Sequence, residues 1–125
     1  MKKTYGYRLR TYLNATHAMR WENSDGATHP HTWEIICKVR QNNDDEFLRF
    51  NEIEAAIQEV VTPLQGRLLN NVAPFTEINP SLENLGDYFF DEIDAHLQKL
   101  DCYLEQLEIG ESPGTRFFRV TRGEQ

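Results

Sequence analysis

Basic residues are a minority in this sequence, and cysteine and long apolar runs are scarce. With 13 Lys and Arg against 20 Asp and Glu, the formal net charge is −7. No basic stripe interrupts this excess, so the electrostatic footprint of a nucleic-acid-binding protein is missing. No apolar run approaches the roughly 20 residues that a transmembrane helix needs, so we expect no membrane partner.

The two cysteines, Cys37 and Cys102, are far apart and match no metal-binding spacing. No signal peptide is recognisable, so we expect free thiols in a reducing cytoplasm. Repeats, low-complexity segments and linkers are also lacking. The length therefore predicts a single domain over residues 1–125.

Histidine is what the sequence does concentrate. His29 and His31 are separated by Pro30, and His17 lies twelve residues before His29. Side chains alternate along a strand, so His29 and His31 share a face if this stretch is extended. In both segments the histidines are in phase with the apolar residues. A long-looped hairpin could then bring His17 beside the other two.

Alternation predicts strands over residues 4–18 and 29–41. Helical spacing predicts a helix after Asn51, its expected N-cap, and a second helix after Ser81. Two shorter strands are expected over residues 103–109 and 115–120, joined across Gly110 and the Pro113-Gly114 pair. The order β-β-α-α-β-β predicts an α+β fold, with two helices on one face of a four-stranded antiparallel sheet. Such a small sheet has exposed edges, which favours a homo-oligomer.

Three imidazoles with an open fourth position are typical of a catalytic zinc site. Nickel, iron and copper also accept this ligand type. A cupin is the competing interpretation of a His-x-His pair, with Glu34 as the further ligand. It is disfavoured because Glu34 has the opposite strand phase from His31 and because two helices do not suit a small β-barrel. His96, in the second predicted helix, is expected to be structural.

Five segments resemble the 6-pyruvoyltetrahydropterin synthase and 6-carboxytetrahydropterin synthase family in order and spacing. They are Ala15-Thr16-His17, His29-Pro30-His31, the predicted helix start at Phe50, Pro80-Ser81-Leu82-Glu83-Asn84 and Glu111-Ser112. The resemblance covers nearly the whole chain and implies the tunnelling fold, whose order is also β-β-α-α-β-β. It further implies assembly through the sheets, typically as a hexamer.

The resemblance also implies roles for particular residues. His17, His29 and His31 would bind Zn²⁺, which in the family holds the hydroxyls of the pterin side chain. Glu111 would anchor the pterin ring, since a carboxylate can accept two parallel N–H bonds from an aminopyrimidinone edge.

The departures from the family pattern concern the acid/base groups. Asp25 occupies the position of the catalytic cysteine, four residues before His29. The Leu-Asp-His segment, which carries a proton-relay pair, corresponds best to Leu64-Gln65-Gly66. A variant group of the family uses glutamate at the cysteine position, so Asp25 is a candidate proton carrier, with Glu22 a weaker one. Asp25 is also a plain turn residue by its Asp-Gly context, and Cys37 is expected to lie in the core.

The sequence thus favours a zinc-dependent lyase or isomerase that acts on a pterin or a purine-derived small molecule. The standard synthase reaction is not expected without the cysteine and the relay pair. The alternative is a non-catalytic, metal-containing pterin- or purine-binding protein. A third possibility is an oligomeric scaffold in which the histidines are relics.

Overall fold

Two long strands, paired along their whole length, form the main part of the sheet. In the computed structural model, which describes residues 1–22 and 24–124, β1 (Gly6–His17) runs antiparallel to β4 (His29–Gln41). Between them lie two very short strands, β2 (Arg20–Trp21) and β3 (Ser24–Asp25), which pair only with each other. The sequence predicts a polar turn here and does not reveal these strands, because two residues are too few to show alternation.

Two helices and two further strands complete the chain: α1 (Phe50–Val61), α2 (Leu82–Gln98), β5 (Cys102–Ser112) and β6 (Phe118–Thr121). The four-stranded sheet has the order β1-β4-β5-β6, with every neighbouring pair antiparallel. Both helices pack on one face, so the predicted α+β architecture is confirmed. Among the described residues, no helix combines the length and apolarity needed to cross a membrane.

The core lies between the helices and the inner face of the sheet. Strand alternation supplies Leu13, Trp33 and Ile35 from the sheet, and helical spacing supplies Ile53 and Phe89 from the helices; all five are fully buried. The uncovered face of the sheet is charged instead. There Arg10 pairs with Glu34 at 2.7 Å, and Tyr12 is exposed beside them.

The start of α1 differs from the prediction. Asn51 lies inside the first turn, and the N-cap is Arg49, which makes no side-chain cap bond. Tyr7 explains the shift, because its hydroxyl accepts a hydrogen bond from the Leu48 amide at 3.0 Å and its ring packs edge-on against Phe50 at 5.1 Å. These tertiary contacts set the helix start and override the local capping preference.

β5 is longer than predicted and includes Gly110, which the sequence suggested as part of a turn. Here the glycine serves close packing inside a strand. A Cβ at this position would lie 2.5 Å from the Arg116 carbonyl oxygen and 2.8 Å from the Phe117 ring. The extension places Glu111 on the sheet, opposite Trp33 of β4.

Ser81 is the N-cap of α2, as predicted. Its hydroxyl accepts a hydrogen bond from the Asn84 amide at 3.1 Å. We expect Ser81→Ala to lower the free energy of unfolding by about 1 kcal/mol, the usual cost of losing such a cap, as measured by urea denaturation. Arg49→Ala at the N-cap of α1 is the control, and we expect little change there. An equal loss in both variants would contradict this assignment.

Candidate metal centre

The register between β1 and β4 brings the histidines together. His17, the last residue of β1, lies directly opposite His29, the first residue of β4. His31 lies two residues further along β4, opposite Ala15, and therefore on the same face as His29. The expected hairpin is confirmed, and its connection joins two of the three candidate ligands.

The three imidazoles form a compact triad. Their ring centroids lie 4.8 Å apart for His17 and His29, 4.9 Å for His17 and His31, and 4.6 Å for His29 and His31. Each ring offers one nitrogen, and these nitrogens all lie within 4.8 Å of one another. The triad could therefore hold a metal ion.

Hydrogen bonds orient two of the rings for such a role. Nδ1 of His17 donates to the Pro80 carbonyl at 2.9 Å, and Nδ1 of His29 donates to the Ala27 carbonyl at 2.9 Å. A carbonyl only accepts, so the proton is assigned to Nδ1 and the Nε2 lone pair is left for a ligand. Metal-binding histidines are commonly held in this way, and the donor set fits Zn²⁺.

Trp33 forms an apolar floor beneath the triad. Its fully buried ring lies 5.1 Å from the His17 ring and 5.4 Å from the His31 ring, between centroids. Burial lowers the pKa of His17 below its usual 6.5, and the neighbouring His31 and His29 act in the same direction, against the Pro80 hydrogen bond. This favours the neutral imidazole, which is the form that binds metals.

Glu111 lies at the edge of the triad. One carboxylate oxygen is 3.7 Å from Nδ1 of His31, and about half of the side chain is exposed. It also lines a surface hollow of about 400 Å³ at the start of α2, together with Leu82, Pro113, Gly114, Thr115 and Arg116. A small molecule in this hollow could contact the carboxylate beside the triad.

Asp25 is not brought into the triad. It lies on β3, exposed and opposite Arg20. Of the carboxylates in residues 1–22 and 24–124, Glu111 comes within 4.0 Å of a triad nitrogen and Asp25 does not. Glu22 is also exposed.

The remaining candidates belong to other parts of the fold. Cys37 is fully buried, and burial raises the pKa of its thiol to about 12, as expected for a core residue. His96 lies on α2, where its Nε2 is 3.4 Å from Glu59 of α1. This contact between helices agrees with the structural role predicted for His96.

The sequence matches the family described as 6-pyruvoyl tetrahydropterin synthase over residues 7–120, which is most of the chain. The chain belongs to this family. The triad, Glu111 and the first turn of α2 all fall within the matched segment.

Solved structures of 6-pyruvoyl tetrahydropterin synthases have the same fold. The protein from Caenorhabditis elegans is 16% identical with a TM-score of 0.80, and the match covers 97% of each chain. The protein from Plasmodium vivax is 13% identical with a TM-score of 0.74, covering 98% of this chain and 100% of that one. A P. vivax variant in which a catalytic glutamate is replaced by alanine is 15% identical with a TM-score of 0.68, covering 98% of this chain and 100% of that one. No curated protein sequence matches the chain.

Sequence reasoning missed two parts of the centre in this family member. Trp33 has the same strand phase as His29 and His31. This pattern could have predicted that its ring packs against the triad. The Pro80 carbonyl gives no signal, because a main-chain oxygen 63 residues away is placed by the tertiary fold alone.

We expect the purified protein to bind one equivalent of Zn²⁺, and replacement of His17, His29 or His31 by alanine to weaken binding more than 100-fold. Changes to residues that merely orient ligands cost about 10- to 100-fold, so the loss of a ligand should cost more. Competition with a chromophoric chelator measures the dissociation constant. His96→Ala is the control and should bind as the wild type does. Equal binding by all four variants would contradict the assignment of the triad.

Proposed function

We propose that this protein is a zinc-dependent member of the 6-pyruvoyl tetrahydropterin synthase family that performs a lyase or isomerase step on a pterin or a purine-derived small molecule. The family consists of pterin-making lyases. The observation that carries the proposal is the contact of Glu111 with the triad, at 3.7 Å from His31. It joins a candidate ring-binding carboxylate to a candidate metal centre.

Each part of the centre has a distinct task in this proposal. His17, His29 and His31 hold Zn²⁺, which when bound would act as a Lewis acid toward a side-chain oxygen of the substrate. Glu111 accepts paired N–H bonds from the aminopyrimidinone edge and so sets the orientation of the ring. The hollow lined by Leu82 and Pro113 has room for the ring next to this carboxylate.

The acid/base groups decide the type of reaction. Gln65 and Gly66 stand where the family's proton-relay pair is expected, and neither has an acidic or basic side chain. The Gln65 amide is engaged with the edge of β1, accepting from the Asn14 amide at 2.8 Å and donating to the Tyr12 carbonyl at 2.8 Å. Gly66 has a positive φ of 74°, and its amide donates to the Asn14 carbonyl at 2.7 Å. We therefore propose a reaction other than the standard synthase step.

Asp25 is the proposed proton carrier. It lies in the connection between His17 and His29, and in this proposal a movement of the β2–β3 hairpin carries it toward the triad. Cys37 cannot take this role as a thiolate, since its pKa is raised to about 12 by burial. The P. vivax protein likewise has a carboxylate, a glutamate, as a catalytic residue.

The second candidate function is a non-catalytic, metal-containing protein that binds pterins or purines. The engaged Gln65 amide and the exposed Asp25, outside contact distance of the triad, favour this alternative. It keeps the metal ligands and Glu111 but includes no proton transfer.

We further propose that the active form is a homo-oligomer in the cytoplasm, a hexamer by resemblance to the family. The edge strand β6 supports assembly, because one of its sides has no strand neighbour in the described sheet. The outer edge of β1 is partly covered by residues 65–68. Two buried, free thiols, Cys37 and Cys102, agree with a reducing compartment.

We expect Asp25→Asn to lower kcat at least 100-fold on dihydroneopterin triphosphate or dihydroneopterin, since a general acid or base contributes about 10²- to 10⁴-fold. Product formation is followed by chromatography with fluorescence detection. Asp44→Asn is the control, because it removes the same negative charge from an exposed loop. Ligand binding without turnover in the wild type would instead establish the binding protein.

Glu111→Gln should raise the KM, or the dissociation constant where no turnover occurs, by about 10- to 100-fold. A hydrogen bond to a charged group contributes about 1.5–3 kcal/mol, and each 1.4 kcal/mol is a factor of ten. Glu108→Gln on the same strand is the control, because Glu108 pairs with Arg119 at 3.5 Å and not with the triad. Unchanged pterin affinity in Glu111→Gln would rule out its ring-binding role.

A further inference from the structure

His17 is oriented by a chain segment that lies far from β1 in sequence. The Pro80 carbonyl that accepts from its Nδ1 is itself buried and directly precedes α2. A carbonyl at this place fixes both the tautomer and the rotation of the ring. Whatever holds residues 79–81 against β1 therefore also determines where Nε2 of His17 points.

Asn79, next to Pro80, holds this segment through a pair of hydrogen bonds. Its Oδ1 accepts from the Arg20 amide at 2.7 Å, and its Nδ2 donates to the Arg20 carbonyl at 3.1 Å. One side chain thus satisfies both main-chain groups of a single residue, as a neighbouring strand would. Arg20 is only three residues after His17. This pair of hydrogen bonds between Asn79 and Arg20, the Asn79 clamp, therefore acts close to the imidazole of His17.

Asn70 makes the same paired contact one step nearer to the histidine. Its Oδ1 accepts from the Ala18 amide at 2.8 Å, and its Nδ2 donates to the Ala18 carbonyl at 2.7 Å. The Arg20 guanidinium closes the arrangement by donating to the carbonyls of Asn70 and Ile78 at 3.2 Å and 3.0 Å. The backbone that leaves His17 is therefore held at two successive points.

Helix α2 anchors the far side of this clamp. Nδ2 of Asn84 donates to the Asn79 carbonyl at 2.9 Å, while its amide is capped by Ser81. Pro80 lies between these two contacts. Its carbonyl is thus held from the helix on one side and from β2 on the other.

We propose that Asn79 is a positioning residue for the metal centre, which it serves by holding the Pro80 carbonyl against His17, with Asn84 and Asn70 as supports. This inference rests on the proposed function only in requiring that the triad binds a metal. It assigns a task to the segment between α1 and α2 that is independent of the substrate and of the reaction. The clamp acts on ligand geometry, so its removal should be visible in the metal itself.

The experiment compares wild type, Asn79→Ala, Asn79→Asp and Asn84→Ala for binding of Zn²⁺ and for the visible absorption of bound Co²⁺. We expect Asn79→Ala to raise the Zn²⁺ dissociation constant about 10- to 100-fold, the range for residues that orient metal ligands, and to shift the Co²⁺ bands. Asn79→Asp keeps the acceptor for the Arg20 amide and should fall between wild type and Asn79→Ala. Asn84→Ala should weaken Zn²⁺ binding less than Asn79→Ala.

Asn42→Ala is the matched control, because it removes an asparagine side chain that donates to Asp101 at 2.7 Å in a distant loop. A merely structural role for Asn79 would lower the melting temperature of the metal-free protein and leave the Zn²⁺ affinity and Co²⁺ spectrum unchanged. That result would overturn the inference. If Asn79→Ala does not fold, wild-type metal binding by both Asn79→Asp and Asn84→Ala would overturn it as well. Failure of the wild type to bind Zn²⁺ would instead reject the proposed function and the inference together.

Discussion

The antiparallel register of β1 with β4 is the constraint on which the rest of this molecule depends. It runs without a break from Gly6 opposite Arg40 to His17 opposite His29. A slip by one residue would turn every side chain of one strand to the other face. Leu13 and Trp33 would leave the core and the imidazoles would no longer converge, so the packing that stabilises the sheet also maintains the triad. The register thus places the three imidazoles on one face, and hydrogen bonds to the Pro80 and Ala27 carbonyls then orient the rings of His17 and His29.

Strand alternation was enough to predict which face the three histidines share, because burial of Leu13, Ala15 and Trp33 imposes the same phase on their neighbours. The sequence could not supply the contacts that cross between distant segments. Glu111 falls between the two strands that the sequence predicts at residues 103–109 and 115–120, but it lies in β5, since the pairing of β5 with β4 continues past Gly110. The observed start of α1 differs from the predicted one for a similar reason, because Tyr7 contacts Leu48 and Phe50. Local patterns predicted the elements, whereas their ends and the support of His17 come from tertiary structure.

The two halves of the candidate site differ in mechanical character. His17, His31 and Glu111 lie on the long, paired strands β1, β4 and β5. Asp25 lies on a two-residue strand that pairs with β2 alone. Rigid elements suit groups that must keep a fixed geometry, whereas a short hairpin allows a group to approach and withdraw. The fold thus separates the histidines and Glu111, which lie on long strands, from Asp25, the proposed proton carrier.

The conformation of Gly66 limits which residues this turn can accept. A Cβ there would meet nothing within 4 Å, so space alone would permit a larger residue at this position. Its φ of 74°, however, is a backbone conformation that residues with side chains adopt only at a cost. The neighbouring Gln65 is meanwhile used to cover the edge of β1. A residue with a side chain at position 66 would therefore require this turn to change its backbone conformation, and replacing Gln65 would uncover the edge of β1.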